Sequence, residues 1–398
     1  MPEIVHCSKN VLQCSNQAAP RSLTAYLTGS LDDIMHLPHI NFRPPRHFRV
    51  PAPSSRLSKL HDFGSNPGQL NAWTFVPASA ESERLPLVVV LHGCTQTAAG
   101  YDQGSGWSEL ASAYGFAVLF PEQQRSNNPN MCFNWFEPGD TRRGSGEALS
   151  ISRMIEAMVE RHGIDRQRVY ITGLPAGGAM TSVMLALYPE LFAGGAVLAG
   201  LPHGAAASVP EALQQMRAHS PNGTTSGRSI RKATSHDGPW PAVSIWHGTA
   251  DSVVSPSNAD AIARQWKDVH GISGAPDEDE LVEGHPRRAW RDAGGRLLVE
   301  EYRIAGMGHG TPLATTGECG CGQAGAFMLE VGISSTVHSA KTWGLLGERR
   351  RMQEVEDGKT AAEDVPVLAD TRTRAQPAAA DPIRRVIEEA LRSAGLMK

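Results

Sequence analysis

YITGLPAGGAM, residues 170–180, holds the end of a strand, a turn and the start of a helix. Its first half closes the apolar, β-branched run RVYITGL (168–174). A small-residue turn follows, interrupted by Pro175, and residues 177–188 are then rich in helix formers. A short apolar run that ends at a glycine turn and passes into a helix is the repeating unit of a parallel sheet covered on both faces. The same form recurs elsewhere. LPLVVVLHG (85–93), GFAVLFPE (115–122) and AVSIWHG (242–248) are continuous apolar runs of strand length. Helical patterns lie between and after them. Ile151, Met154, Ile155, Met158 and Val159 form one apolar stripe in 147–161, and Ile262, Trp266 and Val269 form another in 258–270. Strands alternating with helices predict an α/β fold with a mainly parallel central sheet and helices on both sides.

Composition narrows the function classes. The chain has 398 residues, 40% hydrophobic and 20% charged, an ordinary globular balance. A formal net charge of −4 gives no reason to expect nucleic acid or an anionic membrane as a partner. No window approaches the ~18 apolar residues of a membrane helix. The first thirty residues contain no apolar stretch of signal-peptide length, which makes a cytoplasmic location the default expectation. The six cysteines (Cys7, Cys14, Cys94, Cys132, Cys319 and Cys321) are too sparse for a disulfide scaffold and lack paired C-x-x-C spacing, so no metal is expected.

Four regions follow from texture. Residues 1–60 are irregular and proline-rich and read as an arm. Residues 61–348 hold the α/β domain, with 216–240 expected as a surface loop. Residues 349–380 read as a linker. In 381–396, Asp381-Pro382 forms an N-cap and first-turn pair ahead of a stripe of Ile383, Val386, Ile387, Ala390 and Leu391, a short amphipathic helix.

Three elements at strand ends carry chemistry. The turn at 173–177 comes first, Asp251 follows in WHGTADSVVS, and His309 follows in YRIAGMGHG. A nucleophile position, an acid and then a histidine is the chain order of the α/β-hydrolases. Such a trio is needed because serine is a weak nucleophile until a histidine takes its proton, and a buried carboxylate holds that histidine in the right tautomer. LHGCTQ (91–96) follows an early strand, so the Cys94 N–H, with that of Ala176 after the turn, is a candidate oxyanion donor.

Several segments taken together resemble the polyhydroxybutyrate depolymerase-family esterases and the related acetyl-xylan and feruloyl esterases. They include LVVVLHGCTQTAAGYDQGSGW, NMCFNWFEPGD, the 169–202 stretch around GLPAGG, IWHGTADSVVSPSNAD, GMGHGTPL and FMLEVGISST, and the likeness runs from about residue 60 to 346. The resemblance implies an α/β-hydrolase fold and carboxylic-ester hydrolysis through an acyl-enzyme. No cofactor is implied, the partner being an ester such as a polyhydroxyalkanoate, acetyl or feruloyl ester. By position it makes Asp251 the acid, His309 the general base and Cys94 an oxyanion donor. Cys132 becomes a candidate disulfide partner of Cys94, and Trp135 a candidate substrate contact. Members of the family are often exported, which conflicts with the missing signal.

The departure is at Pro175, where the resemblance calls for serine. Proline has no hydroxyl, and its ring locks φ near −65°, whereas an elbow nucleophile sits in a strained turn. Folding is expected to survive, because proline is welcome in the first turn of a helix. Ser182 lies seven residues further along, ~10 Å down the helix axis, and Thr172 precedes the turn within the strand. The expectation is therefore an ester hydrolase by descent with its triad-dependent activity lost or strongly impaired. The alternative is a pseudoenzyme that binds acyl or polyester ligands without turnover. His92 and His247, each in a His-Gly after a strand, read as core histidines. Trp135 has packing as its alternative role, and DTRRGSGE (140–147) reads as a solvated loop at the site rim.

Overall fold

The computed structural model describes residues 55–78, 84–217, 226–317 and 319–347. The amphipathic helix and linker expected after 348, and nearly all of the N-terminal arm, lie outside them. One ten-stranded sheet organises the described chain. Its strands are β1 (Ser58–Lys59), β2 (Asn71–Phe75), β3 (Leu85–Leu91), β4 (Ala117–Glu122), β5 (Ile164–Gly173), β6 (Gly194–Leu198), β7 (Ala242–Gly248), β8 (Glu278–Val282), β9 (His285–Arg291) and β10 (Leu297–Ile304), in the order β1-β2-β4-β3-β5-β6-β7-β10-β9-β8. Neighbours from β4 through β10 run parallel, and the strands at both margins are antiparallel. The α/β architecture and the parallel centre are as the apolar runs predict.

Strand β3 shows why. All seven of its residues are buried, and alternate side chains enter opposite cores. Leu87, Val89 and Leu91 pack into one, with Ile151 and Met154 of α3 (Gly146–His162), Met180 of α4 (Ala176–Leu187) and Trp266 of α7 (Ser257–Val269). Val88 and Val90 pack into the other, with Tyr101 of α1 (Ala98–Ser105), Trp107 of α2 (Trp107–Tyr114) and Ala340 of α8 (Ser335–Thr342). A strand covered on both faces has no polar side to write into its sequence, hence the unbroken apolar run. Among the described residues no helix is long and apolar enough to cross a membrane.

Two local readings change. The stretch 216–240 is not simply a loop: it contains the end of α5 (Val209–Arg217) and all of α6 (Gly227–Ala233), whose Ile230 is fully buried. Glycine and serine concealed that helix, since Gly227 lies at its first position behind Ser226. The 140–147 segment is solvated at its middle, where Arg142, Arg143 and Gly144 are exposed, but not at its end. Glu147, in the first turn of α3, has no exposure at all. A small two-stranded sheet of β11 (Thr311–Leu313) and β12 (Met328–Glu330) follows β10.

The parallel centre places chemistry at one edge. Loops leaving the carboxyl ends of β3, β5, β7 and β10 carry Cys94, Pro175, Asp251 and His309 respectively. The crevice outside the carboxyl ends of parallel strands is the usual ligand site of open α/β sheets.

Candidate active site

Asp251 stands three residues beyond β7, and its side chain is fully buried. Its Oδ1 accepts the backbone N–H groups of Val253 and Val254, both at 2.9 Å, so the carboxylate is held by its own loop. Its Oδ2 accepts from His309 Nδ1 at 2.7 Å. His247 Nε2, at the end of β7, lies 3.3 Å from the same oxygen while bonding Val254 O at 2.9 Å. Burial alone pushes the Asp251 carboxyl up. The hydrogen bonds and charge of His247 and His309 outweigh it and hold the group well below the usual carboxylate range. An ionised carboxylate on Nδ1 fixes the tautomer of His309 and leaves Nε2 as its basic nitrogen. The His309 side chain is 5% exposed and lines a cavity, with Phe327 set edge-on against its ring.

Pro175 lines the same cavity. It adopts φ −69° and ψ −37°, helical values, and its carbonyl accepts the Ala179 N–H at 2.8 Å, so it caps α4 as a helical residue. Neither Leu174 nor Ala176 takes a left-handed φ. The turn stays tight because Gly177 is pressed on the end of β3, where a Cβ would come within 2.2 Å of Leu91 O. Gly93 faces the turn from the β3 side: a Cβ there would meet Gln96 Oε1 at 2.8 Å and the Pro175 ring at 3.1 Å. Ser182 and Thr172, the other hydroxyls considered, are both buried, and Ser182 Oγ bonds Gly178 O within its helix. Neither lines the cavity.

Cys94 follows Gly93, whose N–H is occupied by Gln96 Oε1 at 2.8 Å. Among the described residues no hydrogen bond takes the Cys94 N–H. Ala176, as the first residue of α4, also has an N–H with no intrahelical partner. The next residue, Thr95, has a left-handed φ of +64°, unusual for a β-branched side chain. Its N–H donates to Asn130 O at 2.7 Å, which secures the bend. Cys94 and Cys132 are disulfide-bonded, tying this loop to the 123–134 loop.

The cavity, about 560 Å³, is lined by Cys94, Pro175 and His309 together with the apolar Leu201, Val209, Leu213, Met216 and Val254. Trp135, 7% exposed, both lines it and packs edge-on with Phe136. Sequence reasoning missed two features. Helix α5 forms much of the apolar wall, and its short pattern held no sign of a ligand. Glu147 lies behind the polar wall, where burial and the neighbouring Asp140 push its carboxyl up to about 8 against three donors that favour the charged form.

A parallel-centred α/β sheet with an Asp–His pair and a nucleophile-type turn at its carboxyl edge defines an α/β-hydrolase-like protein, and the chain belongs to the Esterase PHB depolymerase family, whose model matches residues 70–283. Among its relatives is the poly(3-hydroxyalkanoate) depolymerase C of Paucimonas lemoignei, 45% identical over 294 residues, which span 73% of this chain and 70% of that protein. The acetylxylan esterase A of Emericella nidulans is 32% identical over 273 residues, covering 66% of this chain and 86% of the relative. The solved acetyl xylan esterase from Aspergillus awamori superposes with a TM-score of 0.60 at 26% identity, over 73% of this chain and 99% of that one. Family membership supports carboxylic-ester chemistry for this chain.

Proposed function

We propose that this chain binds carboxylic esters of the polyhydroxyalkanoate or short acyl type in the cavity beside His309, and that acyl-enzyme turnover is closed to it at Pro175. One observation carries the reading: the Asp251–His309 pair is fully formed, at 2.7 Å, around a residue without a hydroxyl. In this reading the Cys94 and Ala176 amides receive the carbonyl oxygen, and the α5 wall takes the acyl chain. His309 then has no serine proton to remove. What remains is base-assisted attack by water on a carbonyl held by the amides, a route that in serine hydrolases retains ~10³–10⁴-fold acceleration over water. Relatives named for polyhydroxyalkanoate and for acetylxylan support an ester as the ligand.

The test combines labelling with binding. A fluorophosphonate probe is expected to leave the folded protein unlabelled, while a methyl ester of a 3-hydroxybutyrate oligomer binds saturably. Leu213→Asp, in the apolar wall, is expected to weaken that binding at least tenfold, the order expected for a charge set against an acyl chain. Strong labelling of any serine, with turnover abolished by His309→Ala, would refute the proposal. The pseudoenzyme reading is favoured if binding is retained and hydrolysis of p-nitrophenyl butyrate does not rise above buffer.

A further inference from the structure

Glu147 has no part in the chemistry just described, yet its side chain is fully buried directly behind the polar wall of the cavity. Its side-chain hydrogen bonds lead toward that wall. Its Oε1 accepts from Gln123 Nε2 at 2.5 Å and from Asn127 Nδ2 at 3.3 Å, and its Oε2 accepts the Asn134 backbone N–H at 2.9 Å. Its own N–H donates to Asp140 Oδ1, while Asp140 Oδ2 accepts from Asn134 Nδ2. Asn134 Oδ1 then takes a bond from Asn128 Nδ2 at 2.9 Å, and Asn128 Oδ1 in turn receives the N–H groups of Asn130 and Cys132.

A second branch leaves through Gln123. The Gln123 N–H donates to His92 Nε2 at 3.1 Å, and His92 Nδ1 donates to Gly93 O at 2.7 Å. The two branches converge on one place. Thr95 N–H bonds Asn130 O, and Cys94 is joined to Cys132. The loop bearing the Cys94 amide is thus held from both ends by chains of bonds that begin at one carboxyl. Buried polar networks of this kind rigidify what they touch when every member is satisfied.

We infer that Glu147 is the positioning residue of this site, the anchor that fixes loops 92–96 and 123–134 and so sets the Cys94 amide and the asparagine wall in place. The inference rests on the reading of Cys94 as the oxyanion donor. A residue that merely filled space here would be replaceable by an apolar side chain of similar size at little local cost.

Hydrogen exchange on the full chain tests the anchoring without any ligand. In Glu147→Leu, amides of 92–96 and 126–135 are expected to exchange about tenfold faster or more, with α7 and β7 unchanged. Glu147→Gln keeps the Oε1 acceptor but turns an amide against the Asn134 N–H, so a smaller rise confined to the same loops is expected. It carries the test should the leucine variant not fold. Unchanged protection of both loops, or a rise spread equally over α3, α7 and the sheet, overturns the inference. A second arm uses Pro175→Ser as the parent. There Glu147→Gln is expected to lower kcat about tenfold or more with KM little changed, the signature of a displaced oxyanion donor. Equal kcat in an active parent overturns the catalytic consequence. An inactive parent instead refutes the ester-hydrolase reading, and the exchange result then decides the anchoring by itself.

Discussion

In the proposed reading Pro175→Ser supplies the hydroxyl that acyl transfer needs, and its effect can be sized from the structure. Asp251 and His309 are already bonded at 2.7 Å, so neither partner needs to be rebuilt. In serine hydrolases, loss of the nucleophile costs on the order of 10⁶ in kcat. The parent turn relaxes part of what serine needs, because residue 175 sits at a helical φ of −69° rather than in a strained elbow. Re-forming such strain costs ~1–3 kcal/mol, and each ~1.36 kcal/mol is tenfold in rate, so about 10–100-fold is forfeited. The expected gain is on the order of 10⁴-fold in kcat for p-nitrophenyl butyrate. Stability is expected to move by ~1 kcal/mol or less. Pro175 sits at the φ its ring favours, so the change is the loss of proline's restriction on the unfolded chain. The assay pairs steady-state turnover with fluorophosphonate labelling and peptide mapping. A folded Pro175→Ser protein that is unlabelled at 175 and no faster than its parent would refute the reasoning.

Other outcomes follow from the same geometry. The folded state lowers the Asp251 pKa, so its contribution is present above about 4 and lost as pH falls. Asp251→Asn is expected to flatten that acid limb in urea midpoints measured between about pH 3 and 6. Glu147 behaves in the opposite sense. Its carboxyl is raised from 4.5 to about 8, so its contribution is complete below 4.5 and declines as pH climbs through 8, at about 1.4 kcal/mol per unit. Glu147→Gln should remove that slope, and an unchanged difference between about pH 5 and 8 would count against it. Cys132→Ser opens a loop of 38 residues and is expected to cost ~3–4 kcal/mol, read as a lowered denaturant midpoint.

Much of the architecture was legible because burial on both faces leaves its mark in the chain itself. The unbroken apolar run of β3, the mostly apolar β4 and β7, and the stripes of α3 and α7 announce a parallel sheet between helices. Helix α6 was hidden because seven residues are too few to show a helical period, and so short a helix forms through tertiary packing, here the burial of Ile230. Glu147 read as a rim charge because sequence records a residue's type and not its depth. Nothing in DTRRGSGE tells a solvated glutamate from one enclosed by Gln123, Asn127 and Asn134. His247 read as a core histidine, and it is one, but its 3.3 Å approach to Asp251 depends on a bend that only the folded β7 loop defines.

By itself the amino-acid order determined the α/β class, the strand-end positions of Asp251 and His309, and the absence of a hydroxyl at 175, because hydrophobic periodicity and residue chemistry are local properties. Only the tertiary structure decided that Asp251 and His309, fifty-eight positions apart, are hydrogen-bonded at 2.7 Å. It also decided that helix α5 lines the cavity and that one buried carboxyl accepts bonds from Gln123, Asn127 and Asn134. Those facts depend on contacts between distant segments, and such contacts exist only once the sheet has brought its carboxyl ends to a single edge.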